Sequence, residues 1–318
     1  MARAIGANAR LLTMPEATYG SAPGGNWKRL PFLSCDLGAE QPLLDADVIG
    51  LGGNRDAAAP FLDTVTVAGS AVVPVDLVNI GHWLRLLLGP PTTTGTAPNF
   101  THTVGSGVAA LPSNSVEVGY PDVPSYDLCT GVRADTLEID FSPSGAATAS
   151  IGLLGQSSVR GTTSGGGTPT TAAYTAFNKA QGSISRGGSA LAQVTGAKLA
   201  FSNGVETVRT IRADRKVEGQ DPGIARATGQ VTVRFADTVL LNQAQNAQAA
   251  SFDFAYAIDA NRGLTFTLHE VYLALAKTPI EGPGGVEAAF DFRAAYNAAT
   301  GRMMTVALKN QQAAAEYA

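Results

Sequence analysis

DTVTVAGSAVVPVDLVNIGHWLRLLL, residues 63–88, and GQVTVRFADTVLLNQAQNAQAASF, residues 229–252, follow one plan. In each, a Val-Thr-Val phrase (Val65-Thr66-Val67 and Val231-Thr232-Val233) begins an extended run, turn-forming residues follow, and a stretch with helical character comes next. In the first, Leu77, Ile80, Leu84, Leu87 and Leu88 fall at three- and four-residue spacing, an apolar stripe that leaves Asn79, His82 and Arg85 outside it. In the second, Val239, Leu240 and the Ala/Gln-rich run to Ala250 favour helix by intrinsic propensity. Upstream, Ala46 and Asp47 precede a Gly-rich turn ending at Asp56, and Ala213 and Asp214 precede one ending at Asp221. The order of elements, more than any one residue, predicts two copies of one module.

Around these segments the dominant period is two, which is the signature of strands. Leu137, Ile139 and Phe141 alternate with polar neighbours, Ser142 to Gly145 can turn, and Ala147, Ala149, Ile151 and Leu153 alternate again. Phe252, Phe254, Tyr256 and Ile258 run into a turn at Asp259 to Gly263, and Leu264, Phe266 and Leu268 return. A third hairpin is expected from Val286, Ala288, Phe290 and Phe292 to Met304, Val306 and Leu308. GQSSVRGTTSGGGTPTT, residues 155–171, lacks apolar periodicity and marks a linker or long exposed loop. Residues 89–124 hold Pro90, Pro91, Pro98, Pro112, Pro121 and Pro124, which predicts an irregular insertion. The expected fold is mainly β: two tandem antiparallel barrel or sandwich modules, residues 1–165 with a long inserted loop (about 89–124) and residues 166–318, each with one flanking helix.

Composition limits the function. Apolar residues make up 45% of the 318 and charged residues only 15%. A surface this lightly charged suits a protein whose faces are covered by neighbouring subunits. The net charge of -4 argues against a nucleic-acid binder that neutralises phosphates. Eight basic and fourteen acidic residues precede Thr171, leaving fourteen and twelve after it, so the halves are electrically unlike. Cys35 and Cys129 have no partner at metal-ligand spacing and read as small buried hydrophobes in a reducing compartment. No signal segment or apolar run of membrane-spanning length is present, so neither secretion by its own signal nor membrane insertion is expected.

Candidate chemistry is sparse. The glycines of GLGGN (Gly50 to Asn54) lack the Lys-Ser/Thr of a phosphate loop. His82, His102 and His269 have no triad or ligand spacing around them. Asn99-Phe100-Thr101 matches a glycosylation sequon that a cytoplasmic chain would not use. Asp135, Glu138 and Asp140 flank inward-facing apolar residues and are expected on the wet face of a strand. Arg209, Arg212, Arg215 and Lys216 could touch phosphates, but no aromatics are interleaved for base stacking, and a strand edge or subunit contact accounts for them better. No catalytic, cofactor-binding or metal-ligating residue is expected, and the chain is read as not an enzyme.

GSISRGGSALAQVTGAKLAFSNGVETVRTIRADRKVEGQDPG, residues 182–223, followed by ATGQVTVRFADTVLL, resembles the tail tube proteins of phages with long, non-contractile tails. Asn203, Gly204, Thr228 and Gly229 hold the positions that carry the resemblance. EATYGSAPGGNWKRLPF near the N-terminus and VVPVDLVNIGHWLRLLLG extend it over nearly the whole chain, toward the large two-module type. The resemblance implies a structural virion protein, the major tail tube subunit, whose inner sheets join into one lining. It implies rings that stack into a hollow conduit for DNA ejection, trimeric and pseudo-hexameric for a two-module chain, with a homohexamer as the alternative. It further implies the tape measure protein in the lumen before ejection, tail terminator and distal tail proteins at the ends, and transient, non-specific passage of dsDNA. The location would be the phage tail, with host cytoplasm before assembly, and no cofactor or membrane is involved. Residues 89–124 and the segment around Pro15 to Leu30 are the expected ring-stacking loops. A distal tail or baseplate ring protein and a carbohydrate-binding β-sandwich are the alternatives.

Overall fold

Period-two alternation does make strands of 49% of the chain in the computed structural model, which describes residues 3–46, 56–280 and 282–318. In chain order the first part comprises β1 (Arg10–Pro15), β2 (Lys28–Arg29), β3 (Ser34–Cys35), β4 (Gly38–Glu40), β5 (Leu43–Leu44), β6 (Phe61–Leu62), β7 (Thr66–Pro74), α1 (Ile80–Leu88), β8 (Thr92–Thr96), β9 (Asn99–Gly105), β10 (Asn114–Tyr120), β11 (Ser125–Phe141), β12 (Thr148–Gly155) and β13 (Ser157–Gly161). The second part comprises β14 (Thr170–Thr171), β15 (Gly182–Arg186), β16 (Ser189–Ala190), β17 (Val194–Ser202), β18 (Glu206–Val208), β19 (Gly219–Asp221), β20 (Arg226–Arg234), α2 (Val239–Gln245), β21 (Ala250–Asp259), β22 (Arg262–Leu273), β23 (Glu287–Ala294) and β24 (Met304–Asn310). The fold is mainly β and, apart from the short β2–β14 pair, antiparallel.

A central sheet runs β4–β7–β12–β11–β17–β20–β23–β22, with β3 extending the β4 edge. Its two halves pair alike. β7 lies against β12 and β12 against the C-terminal part of β11; β20 lies against β23 and β23 against the C-terminal end of β22. β11 and β22 are long because each leaves this sheet and enters a second one. The N-terminal part of β11 lies between β10 and β13, and that of β22 between β21 and β24. Even the small hairpins correspond, β5–β6 before β7 and β18–β19 before β20. Within the central sheet the halves meet where Thr136 to Phe141 of β11 pair with Ser202 to Ala197 of β17, and outside it β9 pairs with β24 and β2 with β14.

The residues that correspond are not the Val-Thr-Val phrases. Val65-Thr66-Val67 runs into the start of β7, whereas Val231-Thr232-Val233 lies toward the end of β20. Pairing instead aligns Gly69 with Gly229, since Leu153 faces Gly69 and Phe292 faces Gly229, and Val73 with Val233, which face Ala149 and Ala288. The true correspondence is AGSAVV with TGQVTV, six residues from the phrase that first suggests a repeat.

α1 begins where the Asp76 carboxylate accepts the Ile80 N–H at 2.9 Å and the Asn79 side-chain amide at 2.6 Å, a local N-terminal cap. It ends at Gly89, whose φ of 95 lets its N–H return to the Arg85 carbonyl. Contrary to the stripe read from spacing, Asn79 and His82 are buried. The helix is enclosed because the C-terminal segment covers its polar side: Tyr317 donates to the Val78 carbonyl at 2.9 Å and stacks edge-on against His82. α2 stops at Gln245, with Ala247 in the left-handed region at φ 47, and Ala250 already belongs to β21. Cross-strand pairing overrides the helix propensity of the Ala/Gln run.

Three further expectations change. Residues 89–124 are not an irregular insertion: they hold β8, β9 and β10, and every proline falls between strands. β10 is a central strand between β1 and β11, so removing this stretch would unpair both. The 155–171 segment contains β13, paired with β11, and Gly166 fits against Trp27, itself buried within the supposed Pro15 to Leu30 loop. The third hairpin does not form, because β23 pairs with β20 and β22 whereas β24 crosses to β22 and β9. The β11–β12 and β21–β22 hairpins are present, the second with a shorter turn than expected, since Asp259 already pairs with Arg262.

Candidate functional site

Alternation gives the central sheet two faces of opposite character. One carries Ala71, Ile151, Ile139, Leu199, Val231 and Phe290, all buried in the core. The other carries small and polar side chains: Ser70 on β7, Ser150 on β12, Thr136 and Glu138 on β11, Lys198 and Ala200 on β17, Thr228 and Gln230 on β20, Ala289 and Asp291 on β23. An open trough of about 820 Å³ crosses it, lined in part by Glu138, Lys198, Gln230, Tyr272, Asp291 and Arg293. Gly229 permits this tight sheet, because a Cβ there would lie 1.9 Å from the Lys198 carbonyl oxygen.

Several of the charges on this face are matched across strands. Lys198 Nζ lies 2.7 Å from Glu138, Arg234 Nε lies 3.3 Å from Glu287, and Gln230 donates to Asp291 at 2.7 Å. The hydrogen bond to Glu138, with its charge, raises the Lys198 pKa and keeps the ammonium protonated. Exposed pairs of this kind add little stability. Their consequence is electrostatic: a cation held by a neighbouring carboxylate grips a polyanion more weakly.

The residues singled out from sequence are dispersed by the fold. Glu138 and Asp140 reach the polar face, while Asp135 turns to accept the Val205 N–H at 2.9 Å. The basic cluster is engaged within the chain: Arg209 donates to Thr64 and Thr66 at 2.7 and 2.8 Å, and Arg212 pairs with Asp214 and Glu218. His102 meets Asn310 and Thr93, His269 meets Thr305, and His82 meets Glu316. Cys129 is buried and Cys35 partly so, both as free thiols. Asn99 to Thr101 lie on β9. Among the described residues no group of His, Cys, Asp or Glu could hold a metal ion, and no helix is long and apolar enough to cross a membrane. Gly50 to Asn54 lie outside the described residues.

The residues that carried the resemblance are structural. Buried Asn203 donates to the carbonyls of Leu87 and Ala134, at 2.8 and 3.2 Å, tying the end of α1 to β11. Gly204 follows at φ 60, a turn position that suits glycine. A family model of phage tail tube proteins matches residues 6–294. The chain belongs to the phage tail tube protein family. A search of curated proteins gave no match. It is a structural tail protein whose place is the virion tail and whose partners include further tail tube subunits.

Some tail tube residues that matter were not legible beforehand. Glu316 accepts from Lys28 at 2.8 Å and from His82 at 3.1 Å, and Asn310 donates to Leu77 at 2.7 Å and to the Tyr317 hydroxyl at 2.9 Å. Apart from the Asn310–Tyr317 bond, these contacts span more than two hundred residues and have no local signature. Asp76 did have one, an acidic residue a few positions before an apolar helix.

Proposed function

We propose that this chain is the repeating wall subunit of a long, non-contractile tail and carries two copies of one module, about 1–165 and 166–318. Three chains would then close a ring with six module positions. The observation that carries this reading is the recurrence of one pairing scheme on both sides of the β11–β17 seam. A module that already adds its sheet to the next within one chain is suited to do so around a ring. The polar face of the central sheet becomes the lumen wall, and its cross-paired charges suit a conduit that DNA must traverse without being held. The role is passive: rings stack into a tube, filled by the tape measure protein before ejection and closed by terminator and distal tail proteins.

Negative-stain microscopy with mass measurement of the smallest assembly tests this. Hollow tubes built from three-chain rings are expected. Rings of six chains, or a monomer that persists at high concentration, would overturn the two-module reading.

A further inference from the structure

The seam inside the chain leaves its counterpart open at both ends. Where β11 continues past Ala134 to pair with β17, β22 ends at Leu273, and Ala274 to Ile280 continue with one backbone hydrogen bond to β23, from Ala274 N–H to the Asp291 carbonyl. Where β17 is paired on both sides, β3 and β4 pair, among the described residues, only with β7. The sheet therefore starts and stops on unpaired edges, which folded proteins rarely leave uncovered.

The register of a second seam follows from the first. Gly69 and Gly229 are equivalent, which makes Leu153 equivalent to Phe292 and their partners Ala134 and Leu273 equivalent. Beyond the bulge after Ala134, Thr136 corresponds to Ala274 and Glu138 to Ala276. On the other edge, Ala200 faces Thr228 as Gly38 faces Ala68, making those two equivalent. Since Glu138 pairs with Ala200, Ala276 is matched to Gly38, and Leu275 takes the place of Leu137. Leu275 is 64% exposed in the isolated chain, whereas Leu137 is 2% exposed.

The small hairpins give an independent chemical argument. β18–β19 folds over the first half with polar contacts: Arg209 reaches Thr64 and Thr66, Arg133 donates to the Gln220 carbonyl, and Gln156 donates to Glu218 at 3.2 Å. Its counterpart β5–β6 has nothing to fold over and exposes Leu43, Leu44, Phe61 and Leu62. In the second half the positions equivalent to Thr64, Thr66 and Arg133 are Ile224, Arg226 and Tyr272, all exposed. A polar hairpin meets polar residues within the chain; an apolar hairpin, and an exposed Ile224 and the Tyr272 ring, remain unmatched on its surface.

We infer that Ala274–Ile280 of one copy pairs antiparallel with Ser34–Glu40 of the next, Ala276 opposite Gly38, while the second copy's β5–β6 hairpin covers Ile224 and Tyr272 of the first. The partner is a second copy of this chain, and the inference rests on the ring reading above. Leu275 enters the core between the two sheets, and the edges disappear when the ring closes.

The test is a disulfide across the seam, in a Cys35→Ser background, with Gly38→Cys and Ala276→Cys in one chain. A Cβ at Gly38 meets no atom nearer than 4.0 Å, and directly opposed strand residues have Cα separations a disulfide can span. Oxidised assemblies should run as covalent dimers and trimers on a non-reducing gel. Gly38→Cys with Lys277→Cys, one residue out of register, points its second thiol to the other face and should not link. Leu275→Asp should leave the isolated chain's thermal unfolding unchanged and abolish rings. Rings without the 38–276 link, equal linking by the shifted pair, or rings from Leu275→Asp would overturn this interface while leaving ring formation intact. Absence of rings in the unmodified protein would instead overturn the function proposed above, and the interface with it.

Discussion

Gly69 of β7 and Gly229 of β20 hold the same place in the two halves of the sheet, and each faces a backbone too close to admit a side chain. A Cβ on Gly69 would lie 2.5 Å from the Leu37 Cα, and one on Gly229 would lie 1.9 Å from the Lys198 carbonyl oxygen. Leu37 and Leu199, the residues opposite, are both buried. The shared close approach lets β4 and β17 lie tightly on the strands that precede the two helices.

Gly229→Ala is therefore expected to force β17 and β20 apart and to lower stability by about 1–3 kcal/mol, the cost of overpacking a tight site. The urea unfolding midpoint measures this. A midpoint equal to that of the unmodified chain would show that the sheet relaxes without cost.

Glu316 gives the fold an acid-sensitive tie. Hydrogen bonding from His82, with Lys28 in support and burial opposing, holds its carboxyl at about 2 rather than 4.5. A carboxylate whose pKa is depressed in the folded state contributes stability that is complete above its unfolded value and lost as pH falls through the folded one. The melting temperature should therefore fall between about pH 4.5 and pH 2, and Glu316→Gln should flatten the fall in that window. Parallel pH profiles of the two proteins would refute the assignment.

Tyr317 closes the pocket over α1, and Gly81 is a glycine because a Cβ would lie 2.4 Å from the tyrosine ring. Truncating a buried aromatic costs about 3–5 kcal/mol, so Tyr317→Ala should sharply lower the denaturation midpoint. Tyr317→Phe removes only the hydroxyl that bridges Asn310 and the Val78 carbonyl and should cost about 1–3 kcal/mol. Equal losses for the two variants would mean that the hydrogen bonds, not the ring, hold this segment.

If the polar face lines the lumen, its carboxylates keep DNA moving. Glu138→Gln, Glu287→Gln and Asp291→Asn together leave Lys198 and Arg234 without their ionic partners and shift the face toward net positive charge. Assembled tubes of this variant should bind short duplex DNA in a salt-sensitive way that the unmodified tubes do not. Fluorescence anisotropy at two salt concentrations reads the difference, and identical weak binding would place this face elsewhere.

Cys129 reports on folding. Burial pushes its thiol up to about 11, so at pH 8 the thiolate that alkylating reagents require is scarce and enclosed. Modification in native buffer should be slow and should accelerate with denaturant in step with global unfolding. Rapid native labelling at Cys129 would show that β11 opens locally.

Much of the fold was legible in the sequence because strands and hairpins are local. Leu137, Ile139 and Phe141 against Ala149 and Ile151 announce both the period and the turn, and the structure forms that hairpin. The family was legible too, in Asn203, Gly204, Thr228 and Gly229 taken together. The pairing scheme that recurs in the two halves of the sheet is echoed in the sequence as an order of elements but not residue by residue. The repeated Val-Thr-Val is an ordinary strand sequence, whereas Gly69 and Gly229 are distinguished only by the backbone each must face. The prolines of residues 89–124 read as breakers because sequence shows where a strand cannot continue, not how short a paired strand can be.

By itself, then, the sequence determined the β character, two of the hairpins and membership of the tail tube family, since alternation and turn chemistry act over a few residues. Only the tertiary structure decided that β11 and β22 each serve two sheets, that β23 and β24 part company, and that Glu316 and Tyr317 lock a helix more than two hundred residues away. Such contacts arise from which edges remain unpaired after local structure has formed, and that competition involves the whole chain at once.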